Sequence, residues 1–132
     1  MAETLNDIVQ CYGIILRTER FDECVAFYRD TLGLPVWFEK PGLVCLRYGS
    51  GYLMVETEGF ANQGNPLQAK SINENPTKLR LNVKDGAASA DLLKRHGVDV
   101  EMKVFDWGTT GTFLDPDGNI CALKDADDPF FS

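Results

Sequence analysis

One pattern occurs twice in this 132-residue chain, and it constrains the fold more than any other feature. An apolar run from Tyr12 to Leu16 leads into an amphipathic stretch that halts at Leu32-Gly33 and resumes as Leu34-Pro35-Val36. Further on, Leu79 to Val83 leads into an Ala/Leu-rich stretch that halts at His96-Gly97 and resumes as Val98-Asp99-Val100. Repetition on this scale implies two like supersecondary modules packed together. A cleft between like modules is a natural ligand site. The length suits one domain with a sizeable core, or two small modules sharing one core.

The elements follow from periodicity and punctuation. A first strand is expected from about Val9 to Leu16. A helix follows from Arg20, with Asp22 and Glu23 in the first turn, where carboxylates suit the helix dipole. Phe21, Val25, Tyr28 and Leu32 form one apolar stripe, and Gly33 supplies a left-handed C-terminal cap. Strands at Val36–Glu39, Leu43–Tyr48 and Tyr52–Glu56 are separated by turns at Pro41-Gly42 and Gly49-Ser50-Gly51. The second module repeats the order. A strand at Lys78–Val83 precedes a helix from about Gly86 to His96, then strands at Val98–Val104, Thr109–Leu114 and Ile120–Lys124. Asp115-Pro116-Asp117-Gly118-Asn119 is a strong turn, because Pro presets the bend and Gly takes the positive φ. The expected organisation is a module over 8–58, an Asn/Gln/Gly/Pro-rich linker over 59–76, a module over 77–125 and a tail over 126–132. The class is α+β, two βαβββ modules.

Composition narrows the function. Thirteen basic and 20 acidic residues give a net charge of −7, which argues against nucleic acid or an anionic membrane as partner. The apolar runs fall far short of a membrane span, and the N-terminus lacks the basic and apolar regions of a signal peptide, so a cytoplasmic protein is expected. Four cysteines (Cys11, Cys24, Cys45, Cys121) lack paired spacing. Three fall in expected strands and one on a helix, which favours buried reduced thiols over a zinc site or disulfides. The single histidine, His96, sits at a helix C-terminus, where imidazolium suits the dipole better than a ligand role does.

Ala26-Phe27-Tyr28-Arg29-Asp30-Thr31-Leu32-Gly33-Leu34, together with Trp107-Gly108 and Asp115-Pro116-Asp117-Gly118-Asn119, resembles the vicinal oxygen chelate superfamily. That superfamily groups glyoxalase I, extradiol dioxygenases and bleomycin-resistance proteins. The resemblance covers nearly the whole chain. It implies a curved mixed sheet with helices outside and a concave cleft, usually in a homodimer. It also implies a divalent metal held by His, Gln or Glu from the first and last strands of each module. Carried onto this chain, those places fall at or near Gly13, Met54, Lys78 and Ala122, none of which can serve as the expected ligand.

Residues for the cleft come from strand alternation. Leu79, Leu81 and Val83 face the helix, turning Lys78, Arg80 and Asn82 to the concave side. Two cations there favour an anionic or carbonyl-bearing small molecule; equally, they could pair with Glu56, meet a dimer partner or face solvent. Met54 and Glu56 share a face of their strand. Glu56 is a weak catalytic candidate that could bind a ligand amine, move a proton or neutralise Arg80. Trp107, in a loop before Gly108, is a better candidate for stacking on a ligand than Trp37, and a core role is the ordinary reading for both. The leading expectation is therefore a metal-free small-molecule-binding protein, contacting its ligand through Gly13, Met54, Glu56, Lys78, Arg80, Asn82 and Trp107. Sequestration, resistance or sensing would be its purpose. The alternative is a metal-dependent lyase, isomerase or dioxygenase using unconventional donors such as Glu56 and Cys11. A module with a filled cleft is the third reading.

Overall fold

The computed structural model describes residues 4–59, 67–106 and 108–125. The chain divides into two compact units, Met1–Ala61 and Asn62–Ser132. Trp107, residues 60–66 of the expected linker and the expected tail lie outside the described residues.

The first unit opens with a one-turn helix, α1 (Leu5–Ile8). Asp7 holds it by accepting from the Thr4 backbone N–H at 2.9 Å and the Thr4 hydroxyl at 3.0 Å. Strand β1 spans Gly13–Thr18, so the first strand begins later than the Val9 expected. Residues 5–8 satisfy their backbone locally instead. Helix α2 (Phe21–Val25) runs without a break into a π-helical stretch, Ala26–Thr31. There the Leu32 N–H reaches the Phe27 carbonyl, five residues back, at 2.9 Å. Gly33, at φ 78°, ends the helix. The wider π turn changes which residues face inward. Cys24, Val25, Phe27 and Tyr28 are buried, while Phe21 and Leu32, expected in the same stripe, are only half-buried. Phe27 and Tyr28 meet edge to face at 5.1 Å between centroids.

Strands β2 (Val36–Lys40), β3 (Leu43–Tyr48) and β4 (Gly51–Thr57) complete the module. The sheet order is β1-β4-β3-β2, with β1 parallel to β4 and the other pairs antiparallel. Val44, Leu46, Leu53 and Val55 are buried on the helix side, each contributing about 1.5–3 kcal/mol of transfer free energy. Thr18, also buried, accepts from the Arg20 N–H at 2.9 Å and so ties the end of β1 to the start of α2.

The second unit repeats the order with β5 (Leu79–Val83), α3 (Gly86–Arg95), β6 (Glu101–Phe105), β7 (Gly108–Leu114) and β8 (Ile120–Asp125). Its sheet order, β5-β8-β7-β6, is the same topology. Helix α3 starts at Asp85, whose carboxylate accepts from the Ala88 N–H at 3.0 Å. It is pinned to the sheet by the Gly86 N–H donating to Asp125 Oδ1 at 2.6 Å. Phe113, Cys121 and Leu123 pack beneath it with Ala90 and Leu93.

The turn after β7 does more than reverse the chain. The carboxylate of fully buried Asp115 accepts from the N–H groups of Asp117 and Asn119 and from the Asn119 amide, at 2.8–2.9 Å. Lys70 meets Asp117 at 3.1 Å, its own N–H reaches the Gly118 carbonyl at 2.9 Å, and Asn75 donates to Asn119 at 2.9 Å. Residues 67–76, expected to be linker, are thus laced onto the second unit. Among the described residues no helix is long and apolar enough to cross a membrane.

Candidate functional site

Register builds one face of the first sheet. Gly13 lies beside Tyr52, Ile15 beside Met54 and Arg17 beside Glu56. Across the next pair, Tyr52 lies beside Arg47 and Met54 beside Cys45. Alternation turns all of these away from the helix-covered face. At the β2 edge the register slips: Val36 opposes Leu46 while Phe38 opposes Cys45, leaving Trp37 as the extra residue of a bulge. A bulge re-aims side chains, and this one sets Trp37 and Phe38 together on the open side.

The result is an aromatic cluster with one cation. The Arg47 guanidinium lies over the Trp37 ring, 4.6 Å from its centroid. Trp37 also meets Tyr52 at 6.0 Å and Phe38 at 5.8 Å, both near perpendicular. Trp37 is 43% exposed and Phe38 38%, so their rings are presented to solvent. A Cβ on Gly13 would collide with the Tyr52 ring. Bare backbone at that position is what lets the ring lie across β1.

Charge sets Arg47 apart from its neighbours. Arg17 pairs with Glu58 at 2.7 Å, Arg20 with Glu23 at 3.4 Å and Arg29 with Asp30 at 2.8 Å. Among the described residues no carboxylate lies within ion-pair distance of Arg47, and its partner is the indole ring. Cys45 is buried beside Met54; burial pushes its thiol up from the usual range, with the Cys11 sulfur adding to the effect.

The open face of the second sheet has different chemistry. Arg80 lies beside Ala122 and Asn82 beside Lys124, with Thr112 and Thr110 next along β7. Arg80 and Asn82 are exposed; Lys124 is buried, and its ammonium donates to the Asp125 carbonyl at 3.4 Å.

The positions singled out from sequence are therefore distributed as follows. Gly13, Met54 and Glu56 share the open face of the first sheet, and Arg80 and Asn82 share that of the second. Lys78 precedes β5 and is exposed. Cys11, expected in a strand and buried, lies ahead of β1 and is exposed, because the strand begins at Gly13. The other three thiols are buried, and all four are free. Sequence reasoning passed over Arg47, Tyr52 and Phe38 and ranked Trp37 below Trp107. Two signals were present: the consecutive pair Trp37-Phe38 breaks strand alternation, and the tight turn at Gly49-Ser50 fixes Arg47 opposite Tyr52.

A metal site needs converging oxygen, nitrogen or thiolate donors. Gly13, Met54 and Ala122 bring no such donor, and Lys78 is a cation. Among the described residues no three His, Cys, Asp or Glu side chains gather into a group. The residues present do not fit the metal that the resemblance implies.

Comparison with known proteins settles the family. The model of the Glyoxalase/Bleomycin resistance protein/Dioxygenase superfamily matches residues 7–123. The chain belongs to that superfamily. Its fold recurs in the bleomycin resistance determinant encoded on the transposon Tn5, at 20% identity over 89% of this chain and 98% of that one, with a TM-score of 0.62. An antibiotic binding protein from a Streptomyces species is similar at 20% identity, covering 89% and 95% of the two chains, with a TM-score of 0.64. A lactoylglutathione lyase from Agrobacterium tumefaciens is similar at 19% identity, covering 86% and 90%, with a TM-score of 0.65. Identities this low establish the shared fold alone. No curated protein matches the chain in sequence.

Proposed function

We propose that this superfamily member is a metal-free small-molecule-binding protein of the glyoxalase/bleomycin-resistance type, acting as a cytoplasmic homodimer in sequestration, resistance or sensing. The observation that carries the reading is the solvent-facing cluster of Trp37, Phe38 and Tyr52 with Arg47 above the indole. Large rings presented to water on a sheet, with few polar groups among them, suit a planar ligand. Proteins of the same fold include an antibiotic binding protein and a bleomycin resistance determinant, so the fold is compatible with binding of this kind. Gly13, Met54 and Glu56, on the same open face of the first sheet, supply the remaining contacts.

The dimer is supported by an exposed apolar strip along α1 and the edge strand β1. Leu5 is 78% exposed, Ile8 55%, Val9 53%, Tyr12 65% and Ile14 42%. Surface of that character rarely stays bare in a monomer, and an edge strand invites pairing. Light scattering should return twice the mass of one chain, and Ile8→Glu with Ile14→Lys should return a single chain.

Binding is tested by thermal shift across a panel of antibiotics that includes bleomycin and planar aromatic compounds. A ligand at 100 times its Kd should stabilise the protein by about 2.7 kcal/mol. Absence of any shift across the panel defeats the binding reading. Elemental analysis of protein purified without chelators tests the rest: one divalent ion retained per chain overturns the metal-free assignment.

A further inference from the structure

Resting on that binding reading, we infer that the site on the first sheet selects aromatic anions, and that Arg47 is the residue that makes the selection. Three features of the site support this. The ring surfaces of Trp37, Phe38 and Tyr52 offer apolar contact to any flat ligand, and contact of that kind carries no charge preference. The one charged group built into the cluster is Arg47, beside Tyr52 in register and stacked on Trp37. The three other arginines of this unit each lie against a carboxylate, whereas Arg47 has a π face.

That difference matters for recognition. A guanidinium stacked on an indole keeps its N–H groups around its rim, in the plane, free to fork onto an anion. Stacking also fixes the side chain ahead of binding, so little rotamer freedom is lost when an anion arrives. An aromatic ring packing against Trp37 or Phe38 with a carboxylate at the Arg47 rim satisfies both parts of the cluster at once. A cationic aromatic of the same shape would compete with Arg47 for the indole face and be repelled by it. The net charge of −7 makes the discrimination sharper: the protein's net field repels anions, and Arg47, with no carboxylate within ion-pair distance among the described residues, opposes that field locally.

The experiment uses three isosteric probes, 2-naphthoate, 2-naphthamide and 2-naphthylmethylammonium, titrated against the whole protein. Binding is followed by the Trp37 indole N–H signal in a proton–nitrogen correlation spectrum, assigned with Trp37→Phe. The expected order is naphthoate first, with an advantage of about tenfold over the amide, the worth of one charge-assisted contact. In Arg47→Met that advantage should fall to about one, with amide affinity changed less than about threefold, showing that the aromatic surface survives. Arg47→Lys should keep part of the preference, since charge remains without the planar fork. Equal affinity for the three probes sinks the inference while leaving the binding reading intact. So does an unchanged naphthoate preference in Arg47→Met, or probe shifts confined to the other indole. Failure of all three probes to bind removes the inference and counts against the aromatic cluster as a site of any kind.

Discussion

The open faces of the two sheets share a topology and differ in nearly everything else. On the first, the row across β1, β4 and β3 reads Gly13, Tyr52, Arg47 and ends on the bulged Trp37. On the second, the row across β5, β8 and β7 reads Arg80, Ala122, Thr112. One face is aromatic with a single stacked cation, while the other is polar and cationic around a buried Lys124. A βαβββ frame fixes where side chains are displayed, and it leaves their chemistry to the residues themselves. The helices differ in the same way. The first carries a π stretch that turns Phe27 and Tyr28 inward together, and the second is a regular helix capped by Asp85.

The harshest test of this comparison removes one large core ring from each unit. Tyr28→Ala and Phe113→Ala should each cost about 3–5 kcal/mol in urea unfolding, a large part of a typical domain's stability. Tyr28→Ala also removes the edge-to-face contact with Phe27 within the π stretch. A loss below about 3 kcal/mol from Tyr28→Ala would remove the special role given to that stretch.

The turns between the third and fourth strands of each module come next. Asp115→Ala strips acceptors from three donors around a buried carboxylate and should cost about 2–4 kcal/mol. Ser50→Ala, at the equivalent turn of the first unit, removes only an exposed bond to the Tyr12 hydroxyl at 3.0 Å, and should change stability by less than about 0.5 kcal/mol. Similar losses at both turns would mean that the lacing of residues 67–76 is energetically idle.

Gly13→Ala asks whether the aromatic cluster depends on bare backbone beneath it. The new methyl would occupy space taken by the Tyr52 ring, so the ring must swing away at a cost of about 1–3 kcal/mol. Trp37 would lose its Tyr52 neighbour, and its fluorescence should shift. An unaltered Trp37 spectrum would show that Tyr52 does not organise the cluster.

Much of this frame was legible in the chain, for identifiable reasons. Strand β3 was readable because Pro41-Gly42 and Gly49-Ser50-Gly51 bound it on both sides, and α3 because an Ala/Leu-rich stretch halts at Gly97. The facing of Arg80 and Asn82 followed from simple alternation. The first strand was misplaced because Val9 to Leu16 is apolar apart from Gln10, and such a run does not say where hydrogen bonding to β4 starts. The stripe on the first helix was drawn for a regular turn, and a π turn has no periodic signature of its own. The aromatic cluster escaped because it depends on a bulge, a departure from alternation.

The smallest effect concerns the thiols, and it too divides one region from another. Cys11 is exposed ahead of β1, whereas Cys24, Cys45 and Cys121 are 1%, 1% and 0% exposed. Alkylation proceeds through the thiolate. Burial holds the Cys45 thiol above the usual range, which together with its lack of exposure keeps it from reacting. Brief treatment of native protein with iodoacetamide should therefore add one carbamidomethyl group, mapped by peptide mass to Cys11. The other three should react only as fast as the units open. Stability should barely change, since the Cys11 sulfur makes only long contacts, 3.8 Å to the Tyr12 carbonyl and 4.0 Å to that of Ser50. A labelled Cys45 under the same conditions would show the first sheet opening on its own, and would separate the two units in dynamics as well as in surface chemistry.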